Sequence, residues 1–180
     1  DIKWNIFVVG ASNEQGSGAG LVIITPRARK LHYALRLEFA ATNNDAEYEA
    51  VITGLELALE IGVSSLCLHS DSQLIVNQIL GEFQTRGERL TAYLKKTKLL
   101  LNQLDHYLIK HIPRGENQEA DELAKQASMK DGTTFGTITI SKQLAPSFEP
   151  MNLIAAIEEE TWMTPIRKYL QSGTLPDGGN

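Results

Sequence analysis

The chain has a single cysteine in 180 residues, Cys67, set inside an apolar run. An internal disulfide is therefore excluded, which suits a reducing, intracellular compartment. No apolar run comes near the roughly 18 residues of a membrane span, and the N-terminus lacks a charged-then-apolar export pattern. A cytoplasmic protein without a membrane partner is expected. The chain opens on Asp1 rather than methionine, so a piece of something longer is also expected. Positive charge is short too: Lys+Arg 17 against Asp+Glu 22 gives a net charge of −5. The molecule as a whole is no electrostatic glove for nucleic acid, although patches matter more than totals.

What is present is an ordinary globular composition, 42% hydrophobic and 22% charged. This length suits one domain with an appendage and can bury roughly 68–70% of the unfolded surface. The charge is uneven. Arg86, Arg89, Lys95, Lys96, Lys98, Lys110 and Arg114 cluster against few acids, whereas the tail carries Glu149, Glu158, Glu159 and Glu160.

Read in order, Lys3–Val9 is continuously apolar and predicts a strand buried on both faces. A Gly/Ser/Asn-rich turn follows from Gly10 to Gly20. Gly20–Thr25 predicts a second strand, stopped by Pro26, and Leu31–Phe39 alternates as a half-exposed third. Short turns make these an antiparallel meander. Thr42-Asn43-Asn44-Asp45 offers several N-caps, with Glu47 three residues after Asn44 as in a capping box. The helix then runs to about Glu60, with Gly62 as its stop. Its inward stripe, Val51, Gly54, Leu55, Ala58 and Leu59, projects back to Glu47. Gly54 costs about 1 kcal/mol against alanine in mid-helix, which predicts a close approach to the sheet.

Ser64–Ser70 predicts a fourth strand, followed by Ser70-Asp71-Ser72 and helical spacing at Leu74, Ile75 and Ile79. Leu90–Asp105 predicts a long helix with Lys95, Lys96 and Lys98 towards solvent. Tyr107–His111 predicts a fifth strand, 112–116 a loop, and Asn117–Met129 a last helix with Ala120, Leu123, Ala124 and Ala127 inward. Beyond Gly132 the character changes: an extra strand over Thr134–Ile140, a linker at Pro146–Pro150, and a short helix from Thr164-Pro165 to Gly173. Such a mixed sheet with crossover helices places ligand sites beyond the carboxyl ends of its parallel strands.

Three acids sit at junctions. Glu47 heads a buried stripe, Asp71 follows the fourth strand, and Asp121 lies one turn into the last helix. Each could simply complement a helix dipole, worth a few tenths to about 1 kcal/mol. Glu47 resists that reading, because a carboxylate on an inward face needs a partner. Clustered carboxylates with few cations point to a divalent metal, Mg²⁺ being preferred by hard oxygen ligands. His111 ends a strand before a loop; it is either a strand-capping histidine or, beside carboxylates, a proton shuttle. Asn43, Asn44 and Gln73 are either turn-and-cap residues or readers of a 2′-hydroxyl or base edge. Lys95, Lys96 and Lys98 are either a solvated helix face or, with Arg86 and Arg89, a seat for a phosphate backbone.

Taken together, the stretches Thr42–Glu47, Ser70-Asp71-Ser72-Gln73 and His111–Ala124 resemble the ribonuclease H family over about residues 3–130. The phrasing is most similar to the ribonuclease H domain in polyproteins of gypsy-type long-terminal-repeat retrotransposons, notably those of plants. Trp162–Ile166 and Tyr169–Pro176 look like the segment that leads towards integrase. The resemblance implies an α/β ribonuclease H-like fold: a five-stranded mixed sheet, meander then parallel strands, with helices on both faces. It divides the chain into a domain over 1–130 and a linker with a short helical tail over 131–180.

The implied activity is endonucleolytic cleavage of the RNA strand of an RNA–DNA hybrid. In the family, four carboxylates hold two Mg²⁺ ions, with Mn²⁺ possible, roughly 4 Å apart. Glu47, Asp71 and Asp121 match three of the four, and His111 matches the histidine thought to assist product release. Asn43, Asn44 and Gln73 match hybrid-contacting positions. The implied partners are the hybrid and the neighbouring reverse transcriptase and integrase domains, in a cytoplasmic retroelement particle. The departure is at the fourth carboxylate: the family's first strand ends Asp-Gly, and this one ends Val9-Gly10. Valine offers no lone pair, so impaired cleavage is expected. The competing expectation is a catalytically inactive nucleic-acid-binding module on the same fold. An integrase-type nuclease fits poorly, because such relatives generally lack the His111 loop.

Overall fold

The computed structural model describes residues 2–129, 134–135 and 138–149. Its first strand, β1 (Trp4–Asn13), pairs antiparallel with β2 (Gly16–Ile24), which pairs antiparallel with β3 (Lys30–Leu37). The meander stands as expected, but β1 runs four residues past the Val9 end of its apolar run. Gly10–Asn13 pair with Gly16–Ala19 across a tight turn at Glu14-Gln15, so the glycine-rich stretch is mostly ladder. Small residues read as a turn because they lack side chains to pattern, yet their N–H and C=O groups pair like any others. β3 is less exposed than its alternation suggests: Ala34 is buried under the last helix.

Helix α1 (Asn43–Glu60) starts at Thr42, whose hydroxyl accepts from Asp45 N while the Asp45 carboxylate accepts from Thr42 N. The capping box is thus Thr42/Asp45 and not Asn44/Glu47, which leaves the Glu47 side chain free of helix-end duty. Burial along α1 is also broader than one stripe, running from Asp45 to Leu55 without a break. The close approach at Gly54 is real: a Cβ there would lie 3.1 Å from Ile6 Cγ2 on the sheet.

From α1 the chain crosses to β4 (Ser65–Ser70), parallel to β1, then α2 (Gln73–Ile79), capped by the Ser72 hydroxyl. Helix α3 (Glu88–Leu101) ends earlier than Asp105, and β5 (His106–His111) lies parallel to β4 at the sheet's edge. A single 3₁₀ turn over Arg114–Glu116 leads into α4 (Gln118–Ser128). The sheet separates two apolar layers. Ile6, Val8, Leu21, Leu35, Leu55, Leu66, Leu68 and Tyr93 fill the face under α1 and α3. Val9, Val22, Ala34, Ala120, Leu123, Ala124 and Ala127 fill the face under α4. Each large buried side chain contributes about 1.5–3 kcal/mol, so these three helices are held by apolar contact rather than by charge.

The sheet does not stop at five strands. β7 (Ile138–Gln143) pairs parallel with β3, and a two-residue β6 (Thr134–Phe135) pairs antiparallel with β7, giving the order β5-β4-β1-β2-β3-β7-β6. An unpaired outer edge of β3 would present a row of free N–H and C=O groups; β7 covers it. Ser147 and Phe148, expected in a linker, lie against α1 and α3. The helix expected after Thr164-Pro165 and the stretch resembling the approach to integrase lie outside the described residues. Among the described residues, no helix is long and apolar enough to cross a membrane.

Candidate active site

The register of β1 against β4 sets Val8 opposite Ser70 and therefore brings Val9 level with Asp71. Above them, α1 lies so close to β1 that a Cβ on Gly10 would fall 2.1 Å from Glu47 N. Only glycine allows that approach, and it lets the Gly10 N–H donate to the Glu47 carboxylate. Asp121, on the first turn of α4, faces the same place and raises the pKa of both other acids by charge. Glu47, Asp71 and Asp121 are thus brought together from three elements.

The electrostatics are those of carboxylates held out of water. Glu47 is 8% exposed, and its pKa is pushed up to about 8. Burial is the largest cause and the Asp71 charge the next; the Gly10 N–H and Arg114 pull the other way. Asp71 is raised as well, again mainly by burial, with Arg114 and the Asn117 side chain opposing. Glu47 Oε2 and Asp71 Oδ2 are buried without a hydrogen-bond partner. Asp121 has one, since Lys125 Nζ lies 2.8 Å from its Oδ2 one helical turn on.

The donor set fits a hard cation in part. The two orphaned oxygens are the buried acceptors that such an ion satisfies. A two-ion cradle is a poorer fit: among the described residues no group of three or more His, Cys, Asp or Glu side chains closes around a metal position. Val9, 3% exposed, packs in the apolar layer with Ala120, Leu123 and Ala124 and brings no oxygen to the acids.

His111 ends β5 opposite Ser70, next to Asp71 in the register, and is exposed. Asn43 opens α1 with its Oδ1 accepting from Ser12 N at 2.8 Å; Asn44 follows it, half-buried, and Gln73 opens α2, exposed. Of the basic residues, Arg86, Lys95 and Lys98 are exposed, and the two lysines border a groove of about 310 Å³ with Leu94 and Leu99. Lys96 lies 3.9 Å from Glu56. Arg89 is committed to the protein: its Nε is 3.0 Å from the buried Asp45 carboxylate, and it donates to Ala40 O at 2.8 Å.

Two residues beside the acids were given no site role by sequence, Arg114 having been noted only as part of the basic cluster. Asn117, 2% exposed, donates from Nδ2 to Val8 O at 2.9 Å and also lies against Asp71, tying the head of α4 to the middle of β1. Arg114 places Nε 4.0 Å from Asp71 Oδ2. Both lie in the His111–Ala124 stretch, where a Pro/Gly loop reads as a connector until its partners are seen.

This sheet order, with helices on both faces and acids at the ends of β4 and at the heads of α1 and α4, defines a ribonuclease H-like α/β domain. The crystal structure of RNase H1 from the archaeon Halobacterium salinarum superposes with a TM-score of 0.64 at 31% identity, covering 69% of this chain and 96% of that one. LC11-RNase H1 in complex with an RNA/DNA hybrid superposes with a TM-score of 0.62 at 28% identity, covering 70% and 96%. In sequence, ribonuclease HI of H. salinarum is 40% identical over 87 residues, which is 48% of this chain and 44% of that protein. The putative hydrolase EbsB of Enterococcus faecalis is 32% identical over 121 residues, 66% of this chain and 87% of that protein. The family model described as reverse transcriptase-like matches residues 8–127, and the chain belongs to that family.

Proposed function

We propose that the chain is the ribonuclease H domain of a retroelement polyprotein, one that engages RNA–DNA hybrid and cleaves its RNA strand poorly. The likeness to a ribonuclease H1 solved with an RNA/DNA hybrid supports the substrate class. The motif phrasing of Thr42–Glu47 and His111–Ala124 supports the retroelement setting, with reverse transcriptase and integrase as neighbours. In this reading Glu47, held by the Gly10 N–H, and Asp71, held by Asn117, bind and orient the hydrolytic centre. A hard divalent cation, Mg²⁺ or Mn²⁺, would supply water activation and charge stabilisation there. His111, exposed beside Asp71, moves a proton at the product side. Asn43, Asn44 and Gln73 line the approach to the acids, and Arg86, Lys95 and Lys98 take the phosphate backbone further out.

The observation that carries the reading of impaired cleavage is Val9. It sits level with Asp71 in an apolar layer against α4 and offers no lone pair to a cation. A single preorganised electrostatic contact is worth on the order of 10²–10³ in rate. Val9→Asp should therefore raise cleavage of a labelled hybrid in Mg²⁺ about a hundredfold or more, and no gain would sink the argument. The second reading, a module that binds hybrid without cutting it, is favoured by the Lys125 contact that occupies Asp121. Binding with no detectable cleavage by the unmodified chain selects it.

A further inference from the structure

We infer that residues 138–149 form a strap that positions the head of α1, with Glu49 as the buried peg that receives it. Glu49 is 0% exposed. A carboxylate so placed needs partners, and three donors come from the strap: Gln143 Nε2 at 2.8 Å, Ser147 N at 2.8 Å, and the Ser147 hydroxyl. Hydrogen bonds to a charged group are the strong kind. A second grip is apolar. Phe148 meets the fully buried Tyr93 of α3 edge-on at 4.7 Å, and Tyr93 stacks at 5.7 Å on Tyr48 of α1, the residue after Glu47. Gln78 completes this ladder by accepting from the Tyr48 hydroxyl at 2.6 Å.

A third grip acts on the chain entering α1. β7 pairs with β3 up to Leu37↔Gln143, and Glu38 N donates to Gln143 O at 2.8 Å, just before the segment that leads to the Thr42 cap. The strap thus holds the first two turns of α1 from the entering strand, from the Glu49 side and through the tyrosines. Those turns carry Asn43, Asn44 and Glu47. A segment that merely added stability would loosen the whole domain when weakened; a positioning strap loosens the α1 head first.

The test is hydrogen exchange on the full chain, with Ser147→Ala, Phe148→Ala and, as the conservative rescue, Ser147→Thr. Losing donors to a buried charge should lower protection over residues 140–148 about tenfold or more. Protection of the Asp45, Ala46 and Glu47 amides should fall several-fold with it, while β2 and α4 amides stay unchanged and Ser147→Thr recovers both. A released strap with an unchanged α1 head overturns the inference, as does strap protection that neither alanine variant alters. Should Phe148→Ala loosen every amide together, Ser147→Ala, which removes little volume, is read with the same two outcomes. None of these readouts involves hybrid or cation, so they stand or fall apart from the proposed activity.

Discussion

Glu47 and Glu49 sit two residues apart on one helix, both out of water, and they are treated in opposite ways. Glu49 is fully enclosed and receives donors from Gln143 and Ser147. Glu47 keeps one oxygen without a partner and a pKa pushed up to about 8. Burial alone therefore does not mark a chemical site. The mark is burial left unsatisfied, because a structural carboxylate is completed by its own chain, whereas a working one waits for a ligand.

The sharpest way to break this contrast is pH. Glu47 holds its proton more tightly folded than unfolded, so the unfolded state binds fewer protons between about 4.5 and about 8. Stability in metal-free buffer should accordingly be greatest at the acid end of that window and fall as pH rises through it, by an amount on the order of 2–4 kcal/mol. Urea melts of the wild type against Glu47→Gln check this: the variant should lose most of the slope, and a slope of equal size in both would show that Glu47 is not its source. Glu49→Gln should do the reverse at neutral pH, destabilising by about 2 kcal/mol in the same melts by setting an amide against donors that need an acceptor. If it stabilises instead, the peg reading fails.

A smaller effect is expected from Asn117→Ala, which removes a buried bond to Val8 O and should cost about 1 kcal/mol while raising the Asp71 pKa further. An NMR titration of Asp71 would show that direction. The smallest change belongs to the exposed rim. Lys95→Ala with Lys98→Ala should lower the slope of log affinity for hybrid against log salt by about 1–2 and leave stability within about 0.5 kcal/mol.

Much of this was legible in the sequence, and the failures have a common cause. Glu47, Asp71 and Asp121 could be picked out because helix and strand periodicity put each at the end of an element. Thr42 stood among the N-cap candidates, but the capping box was placed at Asn44/Glu47 because four consecutive residues could all serve; Arg89 on α3, holding Asp45, is a partner the local sequence does not show. Arg89 itself read as a phosphate ligand since a cation's partner 44 residues away leaves no local trace. The same holds for Glu49 and Ser147, 98 residues apart. β1 ran long because pairing, unlike packing, is indifferent to the small side chains of Gly10–Asn13. What stays invisible to a local reading is the long-range polar contact, and here such contacts decide which buried acid is free.

The tight seat of Gly10 has a consequence for how this domain could change with time. With Glu47 N 2.1 Å from where a Cβ would be, position 10 admits no side chain, so under the proposed function an acid absent from position 9 could not be supplied from position 10. Valine and aspartate codons that end in a pyrimidine differ only in the middle base. On the proposed function, a lineage carrying such a codon stands one substitution from an acid at position 9 beside Glu47, Asp71 and Asp121.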